Sequence, residues 1–273
     1  MKEFLRNKFA LFGLIIIAGL AVIAILAPFI APYDPGFIDT SERLVAPSMR
    51  HLFGTDELGR DVFSRMVYGS RISLIIGFIA VGIAVLIGVI IGSVAGFYGG
   101  KVDATLMRFV DLMLCFPSFF LILAIIALLE PNIINVMAII GLTSWMGVSR
   151  LIRAEILSIK EREYVEAARA TGASDFRIIA RHLIPNSIGP VLVSATLGIG
   201  AAILIESSLS FLGLGVQPPT PSWGNILTEG KSTLGVAWWL LLYPGLAILI
   251  TVMGFNLLGE GLRELWNPRK RQK

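Results

Sequence analysis

The sequence has few charged residues and few of the residues on which reactive chemistry depends. Of its 273 residues, 15% are charged and 55% are hydrophobic, and the mean hydropathy is +0.79. A soluble domain of this composition would expose large apolar patches, so the composition favours a membrane protein. The single cysteine, Cys115, excludes an internal disulfide, and with the distant His51 and His182 it forms no recognisable metal-ligand pattern.

Motifs of nucleotide binding and hydrolysis are also missing. The sequence contains no Gly-x-x-x-x-Gly-Lys-Ser/Thr phosphate loop, so it shows no means of binding ATP by itself. It also lacks Gly-x-Ser-x-Gly, Ser-x-x-Lys and His-Glu-x-x-His, which are patterns of common hydrolases. The net charge of +4 is too small to indicate nucleic-acid binding. We therefore expect a chain that is not an enzyme and that binds no cofactor itself.

Long apolar runs dominate what is present. Six runs predict membrane spans, at about 10–31, 72–97, 104–129, 133–152, 186–205 and 238–258. The first run is longer than the apolar part of a signal peptide, and Pro28, Pro32 and Pro35 do not resemble a cleavage site, so we interpret it as a retained span. Trp238 and Trp239 are typical of interfacial anchors at the start of the last span. The predicted fold class is an all-α integral membrane protein.

The distribution of Lys and Arg predicts the orientation of these spans. The segment between the fourth and fifth runs is the most basic part of the sequence; it contains Arg150, Arg153, Lys160, Arg162, Arg169, Arg177 and Arg181. An excess of Lys and Arg marks cytoplasmic loops. The N-terminal segment, with Lys2, Arg6 and Lys8, and the tail 263–273 are basic too, whereas the loop 32–71 has no positive excess. The sequence therefore predicts cytoplasmic termini and an external loop.

Residues 161–186 form a polar island between two spans. The stretch 161–170 consists of good helix formers, and Gly172 tolerates the positive φ that often ends a helix. Ser174 or Asp175 can then accept hydrogen bonds from exposed backbone N–H groups and begin a second helix. The prediction is a helix, a tight elbow at Gly172 and another short helix.

The second of these helices is short and one-sided in the prediction. Phe176, Ile178 and Ile179 give it an apolar side. Pro185 is expected to stop it, because proline cannot donate a hydrogen bond inside a helix.

The island resembles the EAA loop of ABC-transporter permease subunits. The motif residues match in type and spacing: Glu166, Ala167, Ala168, Gly172 and Pro185. His182 and Ile184 depart from the Ile and Leu that are usual at the end of the motif. The resemblance implies a coupling helix that docks into a groove on a separate ATP-binding subunit, a contact that includes Ala173 and Asp175. An ordinary cytoplasmic helical hairpin is the alternative.

Three longer phrases resemble one branch of that family, the dipeptide, oligopeptide and nickel permeases. They occupy residues 26–35, 53–65 and 209–223, and together with the EAA loop they extend the resemblance over nearly the whole chain. The charges of 53–65 leave two interpretations open. They form a solvated face with internal ion pairs, or they contact substrate directly.

A glycine repeat marks the second predicted span. Gly88, Gly92 and Gly96 recur every fourth residue, which places them on one helix face where another helix can approach closely. The repeat is interpreted as a packing face in the permease core. The alternative is glycine used as filler in a membrane helix.

Two acidic residues within spans are candidates for function, because an ionisable group in a membrane span is costly. Asp111 follows Arg108 by three residues and could pair with it on the same helix face. Glu206 is expected near the outer end of the fifth span, facing protein or the transport path rather than lipid. A structural role, as partner of a helix end or a neighbouring Arg, stays open beside a role in the path.

The resemblance implies a type I ABC importer permease fold with six transmembrane helices. The expected organisation is an N-terminal helix and external loop at 1–71, a five-helix core at 72–262 with a coupling loop at 158–185, and a basic tail at 263–273. Proline and aromatic residues at 116–120 are expected to kink the third span.

The implied function is that of a permease subunit in a binding-protein-dependent ATP-driven importer, most simply of di- or oligopeptides. The implied partners are a second, homologous permease, two ATP-binding subunits that hold ATP and Mg²⁺, and an extracytoplasmic binding protein. The implied location is the cytoplasmic membrane of a bacterium or archaeon. Import of nickel or a metal chelate is one alternative, and an ion-coupled secondary transporter is another.

Overall fold

The computed structural model describes residues 7–130 and 132–265, and they form a bundle of helices. The α-helices are α1 (Lys8–Ile25), α2 (Ala27–Ile30), α3 (Val62–Tyr98), α4 (Gly100–Leu114), α5 (Ser118–Ile126), α6 (Ile133–Leu142), α7 (Trp145–Ile159), α8 (Glu163–Ala170), α9 (Asp175–Ile178), α10 (Ile184–Phe211), α11 (Trp223–Ser232) and α12 (Trp239–Leu265). The helical structure also includes a 3-10 turn (Thr40–Glu42) and a π turn (Ile179–Leu183). The described ranges contain no β-strand, only an isolated bridge between Thr55 and Asp61.

Some sequence-based predictions fall on other parts of the chain. Lys2 and Arg6 at the N-terminus, Pro131 in the predicted turn, and residues 266–273 of the basic tail lie outside the described residues.

Within the described residues, five helical stretches are long and apolar enough to cross a membrane. They are Lys8–Ile25, Val62–Tyr98, Ile133–Ile159, Asp175–Phe211 and Trp239–Leu265. The pair α4 and α5 makes a sixth span if it is counted as one, although its two halves meet at a bend of 78°. The break lies at residues 115–117, where Pro117 precedes α5, so the predicted kink is confirmed.

The second span is longer than predicted. Helix α3 begins at Val62 rather than near residue 72, because the carboxylate of Asp61 accepts from the backbone N–H of Ser64 at 2.7 Å and caps the helix. Its first turns are buried by the preceding loop and by α11, not by membrane. The predicted boundary between 71 and 72 therefore falls inside a helix.

The glycine repeat of α3 lies against α7. A Cβ on Gly88 would come within 2.6 Å of the Val148 Cβ, and one on Gly96 within 3.1 Å of the Arg153 carbonyl oxygen. A Cβ on Gly92 would collide with the carbonyl oxygen of Ser149. The two helices approach so closely that only glycine fits at these three positions.

Helix α1 packs on α12 through a second set of glycines. A Cβ on Gly13 would lie 2.7 Å from the carbonyl oxygen of Gly254, and one on Gly254 would lie 2.8 Å from a methyl group of Ile16. Gly261 contacts Ala10 in the same way. The first and last membrane helices are therefore neighbours.

Two predictions about side chains are wrong. Asp111 pairs with Arg150 of α7 at 2.5 Å, not with Arg108 of its own helix. Trp239 is not an interfacial anchor: it is 3% exposed and donates from its indole N–H to the carbonyl of Thr55 at 3.0 Å. Its neighbour Trp238 is 53% exposed. Each error concerns a partner that is far away in sequence.

Candidate functional site

The 158–185 segment closes one end of the bundle, where it connects α7 to α10. Val165, Ile178 and Leu183 are fully buried in a cluster with Ile156 and Ile152 of α7. These apolar anchors hold α8 and α9 against the ends of the membrane helices. The polar side of both helices is turned away from the bundle.

The elbow of the segment has the geometry of a glycine helix cap. Gly172 has a φ of +78°. Its N–H donates to the carbonyl of Arg169 at 2.9 Å, and the N–H of Ala173 donates to the carbonyl of Ala168 at 3.0 Å. This pair of bonds is a Schellman motif, which satisfies carbonyls that the end of α8 would leave unpaired. The predicted positive φ at Gly172 is confirmed.

Five of the seven residues of the predicted contact are exposed. They are Glu166, Ala167, Gly172, Asp175 and Pro185, while Ala168 and Ala173 are half-buried. A Cβ built on Gly172 would meet no atom within 4 Å, so the elbow faces open space. Six of the seven residues lie in α8, the elbow and α9, and Pro185 lies in the first turn of α10.

Phe176 is a feature of this surface that the sequence interpretation missed. It was assigned to the apolar side of the second helix, yet its side chain is 80% exposed, whereas Ile178 on the same helix is 1% exposed. A large aromatic side chain beside polar residues is the typical anchor of a protein–protein contact. Helical periodicity could have separated it from Ile178, because positions two apart do not share a helix face.

Two predicted details of the second helix are wrong. Ser174 occupies the N-cap position of α9, but its side chain makes no capping hydrogen bond. Pro185 does not stop the helix, because the π turn before it leads directly into α10 with Pro185 in the first turn. A first-turn residue needs no N–H donor, and a π turn accommodates the altered hydrogen-bond register. The stretch from Asp175 to Phe211 is consequently continuous.

Basic residues surround the 158–185 segment. Arg153 forms a bidentate pair with Asp103 of α4, at 2.5 and 2.6 Å, and the ammonium of Lys160 donates to the Gly96 carbonyl at 3.2 Å. The guanidinium of Arg169 lies 5.4 Å from the ring centroid of Phe97. Other cations remain exposed; they are Arg162, Arg177 and Arg181. This end of the bundle exposes charges of both signs, because Glu161 and Glu163 are exposed as well.

The opposite end of the bundle is covered by residues 32–65 together with α11, a unit that we call the cap. Inside it, Asp56, Arg60 and Arg65 are each at most 6% exposed. Arg60 pairs with Asp56 at 2.7 Å and with Glu229 of α11 at 2.9 Å. Arg65 pairs with Asp56 and, through two nitrogens at 2.5 and 2.8 Å, with Glu229. The predicted internal ion pairs of 53–65 are present, but they are buried rather than solvated.

A histidine joins the two sides of the cap loop. The ring of His51 is 5% exposed and lies between two carboxylates, 2.9 Å from Asp61 and 2.7 Å from Glu42. The ring of Tyr33 stacks on the His51 ring, with 5.0 Å between the ring centroids. At the rim of the cap, hydrogen bonds from the hydroxyl and the backbone N–H of Ser41 stabilise the ionised carboxylate of Asp39 and lower its pKa. The loop is therefore ordered by its own polar side chains.

Glu206 lies where α10 meets α11. Its side chain is fully buried, and it accepts hydrogen bonds from the hydroxyls of Ser210 at 2.8 Å, Ser222 at 3.0 Å and Ser207 at 3.4 Å. Ser222 is also the N-cap of α11 and accepts from the N–H of Asn225 at 3.2 Å. The Glu206 carboxylate thus faces protein rather than lipid. Its partner is the residue that caps α11, and not an arginine.

A cavity of about 220 Å³ lies in the membrane part of the bundle, between α3, α6, α7 and α10. Small side chains make much of its wall; among them are Ala80, Ala84, Ser144, Ser194, Gly198 and Ala201. No charged residue lines it, and its two hydroxyl side chains come from Ser144 and Ser194.

Comparison with known sequences places the chain among transport proteins. Residues 88–272 match the family model described as binding-protein-dependent transport system inner membrane component, and residues 1–47 match the N-terminal transmembrane domain of oligopeptide transport permease C. The first match contains the whole 158–185 segment. The second contains α1 and the beginning of the cap loop.

Several curated proteins are similar over nearly the whole chain. The dipeptide transport system permease protein DppC of Alkalihalophilus pseudofirmus is 43% identical over 98% of this chain and 88% of its own length. The di/tripeptide transport system permease protein DppC of Pseudomonas aeruginosa is 41% identical over 98% and 90%. The glutathione transport system permease protein GsiD of Escherichia coli is 41% identical over 98% and 89%.

Solved structures share the fold. Two inward-facing structures of the MetNI methionine ABC transporter match with TM-scores of 0.57 and 0.53, at 19% and 20% identity. They cover 75% and 71% of this chain, and 98% and 95% of their own. At this identity the likeness concerns the fold, which is that of a type I ABC importer permease.

Proposed function

The chain belongs to the family of binding-protein-dependent transport system inner membrane components, and we propose that it forms half of the translocation path of an ATP-driven importer of di- and oligopeptides. It is a multi-pass transport subunit rather than an enzyme, since the family supplies permeases to ABC importers. The observation that carries the proposal is the 158–185 segment, whose polar, exposed outer surface is held on a buried apolar base.

The 158–185 segment supports the role of a coupling helix. Its fixed elbow at Gly172, its exposed aromatic side chain at Phe176 and its exposed charged residues suit docking on a separate protein. The energy of transport then comes from two ATP-binding subunits, which hold ATP and Mg²⁺, because the sequence has no phosphate loop of its own. ATP-driven movement of those subunits shifts the permease between inward-open and outward-open states.

The names of the relatives support peptides as the solute. The relatives described above are named for dipeptides, di- and tripeptides and glutathione, which is itself a peptide. Nickel or a metal chelate is not favoured by these names, and membership of an ABC importer family argues against the ion-coupled alternative.

The remaining partners follow from the same proposal. A second, homologous permease completes the path, and an extracytoplasmic binding protein delivers the peptide. The protein resides in the cytoplasmic membrane of a bacterium or archaeon, with the 158–185 segment and both termini inside and the cap outside. The excess of Lys and Arg at the 158–185 end supports this orientation.

Reconstitution tests the function directly. The chain is assembled in proteoliposomes with its second permease, both ATP-binding subunits and the binding protein, and uptake of a labelled dipeptide is measured with no ion gradient. Uptake that requires ATP inside and binding protein outside is the expected result. Uptake driven by an ion gradient without ATP, or ATP-dependent uptake of Ni²⁺ with no uptake of peptide, would contradict the proposal.

A further inference from the structure

The cap and the 158–185 segment lie at opposite ends of the molecule, but one helix connects them. From Asp175 the chain runs through the π turn into α10 and remains helical to Phe211. At 1.5 Å per residue, a helix of this length extends roughly 55 Å, more than the thickness of a membrane core. Pro190 lies inside α10, so the stretch beyond it, 191–211, is the part that carries a displacement to the cap without a proline in its way.

The far end of α10 is bonded to α11 by polar contacts that are almost entirely buried. Glu206 accepts from Ser222 at 3.0 Å, and Ser222 caps α11. The hydroxyl of Thr228, one turn into α11, donates to the Ser210 carbonyl at 2.7 Å. A Cβ on Gly224 would lie 2.7 Å from the Cβ of Ser210, so the two helices also touch directly. There is no room for α11 to slide on α10.

Helix α11 is bonded in turn to the cap loop. Glu229 is the acidic partner of both Arg60 and Arg65, and those two arginines share Asp56. At the surface, the hydroxyl of Ser232 donates to Glu57 at 3.0 Å. Removing one member of a buried ion pair leaves a buried charge without compensation, so this connection resists partial opening.

We propose that residues 32–65, α11 and the far end of α10 move as one body during transport, with Glu206 and Glu229 as the positioning residues that hold them together. A displacement of the 158–185 segment is then transmitted through α10 to the cap, and from the cap to the binding protein that docks on it. This inference rests on the proposed function, because it assigns the path by which ATP hydrolysis at one end is felt at the other.

Reversible cross-linking across the cap tests the one-body motion. Glu57→Cys and Ser232→Cys are introduced together in a Cys115→Ala background, and the assembled transporter is treated in proteoliposomes with a short bifunctional thiosulfonate. Because the two sites are proposed to move together, uptake should stay within about twofold of the uncross-linked value. Loss of uptake that reductant restores would show that the loop separates from α11, and would overturn the inference. The treated Cys115→Ala parent is the matched control.

Substitution of the two acids tests their role. Glu229→Gln should leave the ATP-binding subunits attached and basal ATP hydrolysis unchanged, but lower the stimulation of hydrolysis by loaded binding protein on the order of tenfold. Glu57→Gln, which removes a charge at the rim of the cap, should not lower it. Combining Glu229→Gln with Arg60→Gln restores the charge balance and should recover part of the stimulation. Unchanged stimulation in Glu229→Gln would contradict its positioning role.

Two substitutions of Glu206 distinguish a positioning role from direct contact with the solute. Glutamine at this position still accepts from Ser210 and Ser222, so Glu206→Gln should keep stimulation and uptake, whereas Glu206→Ala should lose both. Loss of uptake in Glu206→Gln with stimulation retained would instead assign the carboxylate to the path. If the Cys115→Ala parent itself shows no ATP-dependent peptide uptake, the proposed function has failed, which is a different result from a cross-linked variant that fails alone.

Discussion

The two ends of the bundle treat charge in opposite ways. At the cap end, acidic and basic side chains are buried and paired within the chain, as between Arg65 and Glu229. At the 158–185 end, Arg162, Arg177 and Arg181 are exposed, and the acidic motif residue Glu166 is exposed as well. The buried charges of the cap are compensated within the chain, whereas the 158–185 segment presents its charges at the surface.

From this difference we infer that the 158–185 end presents its charges to a partner protein. Buried pairs fix a single arrangement, because breaking one costs more than a surface pair gives. Exposed charges beside an exposed aromatic side chain cost little in isolation and become favourable when a partner covers them. We therefore expect mutations at the cap to reduce the stability of the chain, and mutations at the 158–185 segment to reduce assembly instead.

The largest effect is expected from labelling, because the orientation of the two ends is all or none. In a Cys115→Ala background, Arg169→Cys should react with a thiol reagent only after the membrane is permeabilised. Met49→Cys, at a cap position that is 98% exposed, should react in intact cells. Reaction of both sites with an impermeant external reagent would contradict the proposed topology.

The next largest effect concerns the buried pairs of the cap. Arg65→Ala leaves Asp56 and Glu229 close together with one cation fewer, which should destabilise the chain by about 3–5 kcal/mol. Thermal unfolding in detergent, followed by the loss of monodisperse protein, measures this. Arg50→Ala is the matched control, because that arginine pairs with Glu42 at the surface, and its change should stay below about 1 kcal/mol. Equal effects of the two substitutions would remove the contrast between the ends.

A substitution at the elbow should separate assembly from stability. Gly172→Val forces a β-branched residue to a φ of +78°, at a local cost of about 1–3 kcal/mol, but meets no neighbouring atom. The protein should insert as the parent does and lose no more stability than this local cost, yet co-purify with fewer ATP-binding subunits and transport less. Gly172→Asn is the control, since asparagine tolerates this region of φ. Full retention of the ATP-binding subunits and wild-type uptake in Gly172→Val would refute the coupling role of the segment.

A smaller effect is expected from truncating the exposed aromatic residue. Phe176→Ala should change the free energy of unfolding by less than about 0.5 kcal/mol, because the side chain is 80% exposed. It should weaken binding of the ATP-binding subunits by at least 1 kcal/mol, or about fivefold in the dissociation constant, if it anchors that contact. Phe37→Ala, on the cap and 61% exposed, provides the comparison. Identical binding by both variants would exclude Phe176 as an anchor.

Sequence reasoning succeeded where the determining interactions are local or periodic. Membrane spans, the kink at Pro117 and the positive φ of Gly172 follow from composition, from the proline ring and from the conformational freedom of glycine. The four-residue repeat from Gly88 to Gly96 indicated a packing face, although the identity of α7 as its neighbour could not be read from it. Interactions between residues that are close in sequence can be recognised from a window of a few residues.

Sequence reasoning failed where the interacting residues are distant in sequence. Arg65 and Glu229 are 164 residues apart, and Asp111 is 39 residues from Arg150, so the pairing depends on tertiary structure. The nearest opposite charge in sequence, Arg108, was the wrong partner for Asp111 for this reason. Trp239 was misassigned because the cap loop that buries it arrives from the other end of the chain.

The packing of α1 on α12 has a consequence for the order of biosynthesis. Of these two helices α1 is synthesised first, so the face of α1 that packs on α12 must tolerate lipid while residues 32–238 are being synthesised. It can do so because residues 9–31 contain no charged side chain, and the first N–H groups of α1 are bonded to Asn7. A charge on that face would have no partner from α12 during this interval, before Gly254 and Gly261 emerge and pack against it.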